Sequence, residues 1–126
     1  MYKRQIQNVV NQFYEMPANT IREETFCCGS GSGLNAGEDM ELRMASGLPR
    51  ANAVKAVHDS KGVNTLATIC AIDRAALPDL MSSWVPEVEV YGVHEMVANA
   101  LILPGEKERD TDLRGEPLPG MEDADE

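Results

Sequence analysis

Two adjacent cysteines carry the strongest chemical signal in this chain. Cys27 and Cys28 open a stretch rich in glycine and serine, and residues 26–34 read FCCGSGSGL. Neighbouring side chains on a strand point to opposite faces, but a glycine loop lets both sulfurs turn toward one object, because glycine accepts positive φ. Free backbone N–H groups in such a loop can donate to a negatively charged group. Two thiolates beside amide donors are the surroundings that an iron–sulfur cluster requires.

A third thiol follows the strongest strand pattern in the chain. Cys70 lies near the end of an apolar run, residues 63–72, which predicts a strand buried on both faces. We expect a short strand at 25–28 to end at the same edge of a parallel sheet, where ligands gather. Asp73 stands where a C-x-x-C motif beginning at Cys70 would have its second sulfur. Asp73 is interpreted either as a helix N-cap or as a harder, less favoured ligand of iron.

Other interpretations of these residues fit the pattern less well. Free cysteines are often buried as small hydrophobic side chains, which is the plainest alternative. A zinc site wants four ligands, and His58 and His94 have no metal-ligand spacing. Glycines 29–37 lack both the Lys-Ser/Thr ending of a phosphate loop and the G-x-G-x-x-G spacing. Direct thiol–disulfide exchange by the adjacent cysteines would close a strained ring.

Composition limits the classes of protein to which the chain can belong. Its 126 residues suffice for one domain, and a hydrophobic content of 43% suffices for a core. With 21 acidic and 11 basic side chains the net charge is −10, which argues against binding to nucleic acid or an anionic membrane surface. An odd number of cysteines, without a signal peptide or a long apolar run, predicts a soluble cytoplasmic domain with reduced thiols.

Alternating helix and strand patterns predict an α/β fold with a small, mostly parallel sheet flanked by helices. The expected elements, in chain order, are a helix at 3–16, a strand at 25–28, helices at 38–44 and 49–60, a strand at 63–72, a helix from Asp73 that packs Leu77, Leu80 and Met81, a strand at 88–93 and a helix at 94–101. Residues 106–126 hold nine acidic and three basic side chains, which predicts a disordered acidic tail.

Together with the cysteine loop, several short motifs resemble one known domain. They are LR at 42–43, PRA at 49–51, ICAI at 69–72 and VHE at 93–95. The set resembles the cysteine-rich CCG domain of heterodisulfide reductase subunits, and it is most similar to the C-terminal part of DsrK-type iron–sulfur subunits. The resemblance covers residues 6–104, the CCG-type domain of a longer protein. Residues 1–5 are interpreted from their own sequence as a non-native start, and 105–126, outside the resemblance, as an acidic flexible tail.

The resemblance implies an oxidoreductase that acts on sulfur groups through a 4Fe-4S cluster. The site residues that it implies are catalytic, cluster-binding cysteines, two loop glycines and a substitute metal ligand: Cys27, Cys28, Cys70, Gly29, Gly31 and Asp73. The implied substrate is a disulfide or trisulfide of a DsrC-like sulfur-carrier protein. The implied partners are the membrane-bound, quinone-linked subunits of a DsrMKJOP-like complex, which would place the protein in the cytoplasm, peripheral to the inner membrane.

Two departures from the family pattern leave an alternative open. The pattern ends in C-x-x-C, whereas this chain has Asp73 at the last position. A further family cysteine lies upstream, in sequence that this chain does not contain. We therefore expect the isolated piece to be inactive, and the alternative function is a cluster-less scaffold within such a complex.

Overall fold

Two short parallel strands form the centre of the fold. The computed structural model describes residues 2–31, 33, 39–107, 109–112 and 114–117. Strand β1 (Thr65–Thr68) pairs in parallel with β2 (Glu89–Gly92), so that Thr65 lies opposite Glu89 and Thr68 opposite Gly92. Within the described ranges these are the two strands of the sheet, and a helix makes the crossover between them. The predicted α/β class with a small parallel sheet is confirmed.

Helices pack around this sheet. They are α1 (Tyr2–Gln7), α2 (Met40–Lys61), α3 (Ala71–Trp84) and α4 (Val93–Ala100), with single 3₁₀ turns at Ala18–Thr20 and Arg22–Glu24. The core lies where α2, α3 and the sheet meet, and its buried members are Ala51, Val54, Leu77, Leu80, Met81, Val85, Val88 and Val90. The predicted packing of the α3 side chains is therefore confirmed.

Helix α2 is continuous where the sequence predicts two helices, at 38–44 and 49–60. Asp39 caps its start by accepting a hydrogen bond from the backbone N–H of Leu42 at 3.0 Å, and residue 38 lies outside the described residues. Pro49 lies inside α2 rather than in a first turn. Proline removes one backbone hydrogen bond, but buried residues on both sides of it pack against the core and hold the helix together. Gly62 ends the helix as predicted, with φ 69°.

The helix predicted at 3–16 is wrong beyond α1. The backbone N–H of Val9 donates to the carbonyl of Ile6 at 2.9 Å, a tight turn that ends the helix. Asparagine and β-branched residues at 8–11 favour a helix poorly. Further along, Phe13 and Met16 line surface clefts instead of continuing the helix.

Two predicted strands also differ from the structure. Residues 25–28 form no strand, since the carbonyl of Phe26 accepts hydrogen bonds from the side chain of Arg50 instead of a neighbouring strand. The strand predicted at 63–72 is confined to β1, because the chain leaves the sheet before α3. Asp73 therefore lies within the first turn of α3, and Cys70 occupies the N-cap position. The prediction that Asp73 caps this helix is wrong, whereas β2 and α4 lie within one residue of their predicted bounds.

Part of the acidic tail forms a turn. The Oδ1 atom of Asp112 accepts hydrogen bonds from the backbone N–H groups of Arg114 at 2.8 Å and Glu116 at 2.9 Å. Residues 108, 113 and 118–126 of the predicted tail lie outside the described residues. In the part of the chain that is described, no helix has both the length and the apolar character needed to span a membrane.

Candidate functional site

The turn that follows the two cysteines rests directly on the backbone of α2. Gly29 has φ +83°, and a Cβ atom there would lie 2.6 Å from the carbonyl oxygen of Arg43 and 2.7 Å from the nitrogen of Gly47. A Cβ at Gly47 would in turn lie 2.9 Å from the carbonyl oxygen of Cys28 and 2.6 Å from Cδ1 of Leu80. The two backbones can approach this closely only because both residues are glycine.

The two thiols on this turn differ in their surroundings. Cys27 is exposed and Cys28 is half-buried, and both are free. The backbone N–H of Gly29 donates to Sγ of Cys27 at 3.3 Å. Burial raises the pKa of the Cys28 thiol, and its hydrogen bond with the Asp73 carboxylate raises the pKa further, while the backbone N–H of Ser30 lowers it. A thiol of this kind gives up its proton when a metal ion binds the sulfur.

A guanidinium group lies beside the thiols. Arg50 is half-buried on α2, and its Nη2 donates to the carbonyl oxygens of Phe26 at 2.7 Å and Thr20 at 3.2 Å. Its Nε donates to the same Phe26 oxygen at 3.2 Å, and its Cζ lies 5.9 Å from the centroid of the Phe26 ring. Burial lowers the pKa of Arg50, while the negative charges of Asp73 and of the two cysteines oppose this shift.

These groups line one cleft. The cleft has a volume of about 410 Å³, and its polar lining includes the Cys28 thiol, the Arg50 guanidinium and the Asp73 carboxyl group. Apolar side chains such as Ile69 and Leu77 line much of the rest. A mostly apolar cleft with a few converging polar groups is the usual form of a ligand site. It lies at the carboxyl end of β1, which is the sheet edge that the sequence predicts.

The structure brings Cys28 and Asp73 together in the lining of this cleft but leaves both Cys27 and Cys70 outside that lining. Cys70 is exposed at the start of α3. Across residues 2–31, 33, 39–107, 109–112 and 114–117, no three Cys, His, Asp or Glu side chains gather into a group that could hold a metal ion. A four-iron cluster is held by about four ligands. The described residues thus offer free thiols but do not by themselves form the complete ligand set that such a cluster would need.

The remaining predicted residues have simpler surroundings. Gly31 is exposed, and a Cβ there would meet none of the described residues within 4 Å. Residues 32 and 34–38 of the predicted loop lie outside the described residues. His58 is half-buried, and its Nδ1 lies 2.7 Å from the carbonyl oxygen of Val63, where it holds the end of α2. His94 is exposed beside Gly92.

Two features of the site are missing from the sequence-based prediction. The first is Arg50 together with Gly47. The feature of the sequence that could have revealed them is their spacing of three residues, which places both on one face of α2. The second is an ion pair in which Arg74 donates to both oxygens of Glu95, at 2.6 and 3.1 Å. The pair holds the pKa of Glu95 at about 2, helped by the backbone N–H of Gly92. It fixes the first turn of α3, which carries Cys70 and Asp73.

Two known proteins are similar to this chain. The "Hdr-like menaquinol oxidoreductase iron-sulfur subunit 2" of Archaeoglobus fulgidus is 50% identical over 117 residues, covering 90% of this chain and 21% of that protein. The "Hdr-like menaquinol oxidoreductase iron-sulfur subunit" of Archaeoglobus profundus is 49% identical over 117 residues, with the same coverage. The chain is thus similar to one part of Hdr-like iron–sulfur subunits. It spans about a fifth of their length. No family model and no solved structure matches the chain.

Proposed function

We propose that this chain is the cysteine-rich part of an Hdr-like iron–sulfur subunit, an oxidoreductase module whose thiols help to hold an iron–sulfur cluster. The observation that carries the proposal is the backbone contact between Gly29 and Gly47, which holds two adjacent thiols and their amide donors at one place. Similarity to two proteins named as iron–sulfur subunits supports the same function.

The proposed cluster is of the 4Fe-4S type, with ligands that come from more than this chain. Cys27, Cys28 and Cys70 supply thiolates, and Asp73 supplies a harder oxygen ligand beside Cys28. The amides of Gly29 and Gly31 serve as donors to the sulfurs. Because an oxygen ligand is less favoured at iron than a thiolate, a further thiolate comes from residues outside this chain, in agreement with the upstream cysteine of the family that the sequence resembles.

The proposed reaction is cleavage or formation of a disulfide or trisulfide on a DsrC-like sulfur-carrier protein. An iron–sulfur cluster supplies the single-electron steps that this reaction needs. The partners are membrane-bound subunits that exchange electrons with a quinone pool, and the names of both relatives support a link to menaquinol. The proposed location is the cytoplasm, at the surface of the inner membrane.

A second candidate function is a scaffold without a cluster. Two observations favour it: Asp73 replaces a cysteine of the family pattern, and the described residues contain no group of three metal ligands. In this case the two-glycine contact serves only to shape a surface for a partner.

Iron content decides between the two candidates. The proteins to compare are the 126-residue chain and a hybrid in which the chain replaces the matching segment of the Archaeoglobus fulgidus subunit, both purified without oxygen. In the hybrid, Cys27→Ala and Cys70→Ala should each remove about four irons and the matching acid-labile sulfide, together with one EPR signal. The control is Ser46→Ala, because this hydroxyl donates to the carbonyl of Leu42 on its own helix. Equal iron in all variants would support the scaffold instead.

The sulfur chemistry is tested separately. With reduced methyl viologen as electron donor, the loaded hybrid should convert a carrier protein's disulfide into two thiols, with two electrons and two protons consumed per bond. Mass spectrometry after alkylation counts the thiols released. A hybrid that holds iron but releases thiols no faster than its Cys28→Ala variant would contradict the proposed substrate and leave the cluster proposal intact.

A further inference from the structure

Helix α2 contacts the cysteine-bearing segment at two points. Gly47 lies against the carbonyl of Cys28, and Arg50, three residues later and therefore on the same face of the helix, bonds the carbonyl of Phe26. Cys27 lies between the two contact points. The segment that carries both thiols is thus tied to one helix on either side of Cys27.

The contact made by Arg50 has a geometry that the ammonium group of a lysine cannot form. Two nitrogens of Arg50 donate to the single oxygen of Phe26, at 2.7 and 3.2 Å, and one of them also donates to the carbonyl oxygen of Thr20 at 3.2 Å. Both carbonyls belong to segments outside the sheet. A planar guanidinium offers a rigid fork of donors, whereas the ammonium of a lysine is a single point charge on a flexible stem.

We propose that Arg50 is the positioning residue of the Cys27–Cys28 pair. Arg50 holds the carbonyl of Phe26 and so fixes the direction of the backbone where it enters the glycine-rich loop. This keeps the Cys28 sulfur in the lining of the cleft. The use of the thiols as cluster ligands rests on the proposed function. The positioning itself is a property of this chain and can be measured without a cluster.

Amide hydrogen exchange in the full chain measures the positioning directly. In Arg50→Gln, exchange at Gly29 and Ser30 should rise by about tenfold, because the charge-assisted hydrogen bonds that hold the segment are lost. Arg50→Lys should show a rise of similar size, since lysine keeps the charge but lacks the fork. The matched control is Lys55→Gln on the same helix, whose side chain bonds Asp59 one turn further along that helix. Protection of Val85, whose N–H bonds Met81 in α3, reports whether the core is intact.

Thiol reactivity separates positioning from a general structural role. In Arg50→Lys the charge is retained, so alkylation of Cys28 should speed up several-fold through release of the loop, while Cys70 serves as the reference thiol in the same molecule. In the loaded hybrid the same variant should alter the EPR signal while the core stays protected.

The outcomes distinguish this inference from the proposed function. If exchange at Gly29 and the reactivity of Cys28 are the same in Arg50→Lys as in Lys55→Gln, the positioning role is overturned, whatever the iron content of the hybrid. If the loop responds as expected but the unsubstituted hybrid binds no iron at its cysteines, the proposed cluster fails and the positioning role stands. Arg50→Lys keeps the charge and the aliphatic stem, so it remains informative even if Arg50→Gln does not fold.

Discussion

Gly29 is important in this molecule because it has no side chain. Its φ of +83° is a conformation that L side chains rarely adopt, and the carbonyl of Arg43 and the nitrogen of Gly47 occupy the space where a Cβ would lie. Both conditions select glycine independently of any cofactor. The glycine after the two cysteines is therefore explained first by packing, and the position of the thiols follows from it.

Gly29→Ala should lower the free energy of unfolding by about 1–3 kcal/mol, since both the backbone strain and the clash must be relieved by moving the loop. Gly31→Ala is the matched control two residues away, because a Cβ there meets no atom of the described residues within 4 Å and φ is not positive. Urea denaturation of the two variants, followed by circular dichroism, measures the difference. Equal midpoints would show that the loop does not rest on α2 as described.

The ion pair of Arg74 with Glu95 makes stability depend on pH. The folded-state pKa of Glu95, about 2, lies below the ordinary value of 4.5, so its contribution is present above pH 4.5 and is lost as the pH falls toward 2. About a third of each side chain is exposed, 35% and 34%, so solvent screening reduces the contribution to about 1 kcal/mol.

Glu95→Gln should therefore lower stability at pH 7 and have little effect near pH 2. Denaturation at both pH values measures this difference. Asp59→Asn is the control, because Asp59 forms an exposed pair with Lys55 on one face of α2 and should change stability by no more than about 0.5 kcal/mol. A pH-independent effect of Glu95→Gln would contradict the ion pair.

At the scale of elements, local patterns predicted the second half of the chain better than the first. Strand β2 and helix α3 follow the apolar spacing of the sequence, because both contribute side chains to the core that this spacing defines. Prediction failed where a tertiary contact overrides the local pattern. Pro49 is a plausible helix start, yet burial on both sides keeps α2 continuous, and residues 25–28 have a strand-like composition but bond the side chain of Arg50.

Leu80 on α3 packs against α2 at the position where α2 supports the cysteine turn. It is 1% exposed in the core, and its Cδ1 atom faces Gly47 beneath the cysteine turn. Leu80→Ala should lower the free energy of unfolding by about 2–5 kcal/mol through the cavity that it leaves. The control is Leu101→Ala, a side chain that is 55% exposed. Thermal unfolding of both variants measures the effect, and a shift in midpoint no larger than that of the control would place Leu80 outside the core.

The candidate site illustrates what sequence can and cannot show at the scale of the whole molecule. The two thiols, the glycine turn and Asp73 are visible as local motifs, and the structure brings Cys28 and Asp73 together. Arg50 was not predicted, because its role depends on a contact across 24 positions of the chain. No pattern of spacing within one element reports such a contact.

The charge of the whole molecule leads to a prediction about its solubility. The net charge is −10 at pH 7, and the isoelectric point is about 4.6. Mutual repulsion between molecules disappears near that pH, so solubility should pass through a minimum there. Light scattering across pH 3 to 8 measures it. Clear solutions at pH 4.6 with aggregation at pH 7 would contradict the role of charge.

The contact between Gly29 and Gly47 has a consequence for how this site tolerates change. The position of the thiols depends on the absence of a Cβ atom at two places, so an atom added at Gly29 or Gly47 can displace them. Side chains around the cysteines that touch neither these glycines nor Arg50 can therefore vary, and be redesigned for another partner, while the two sulfurs keep their place.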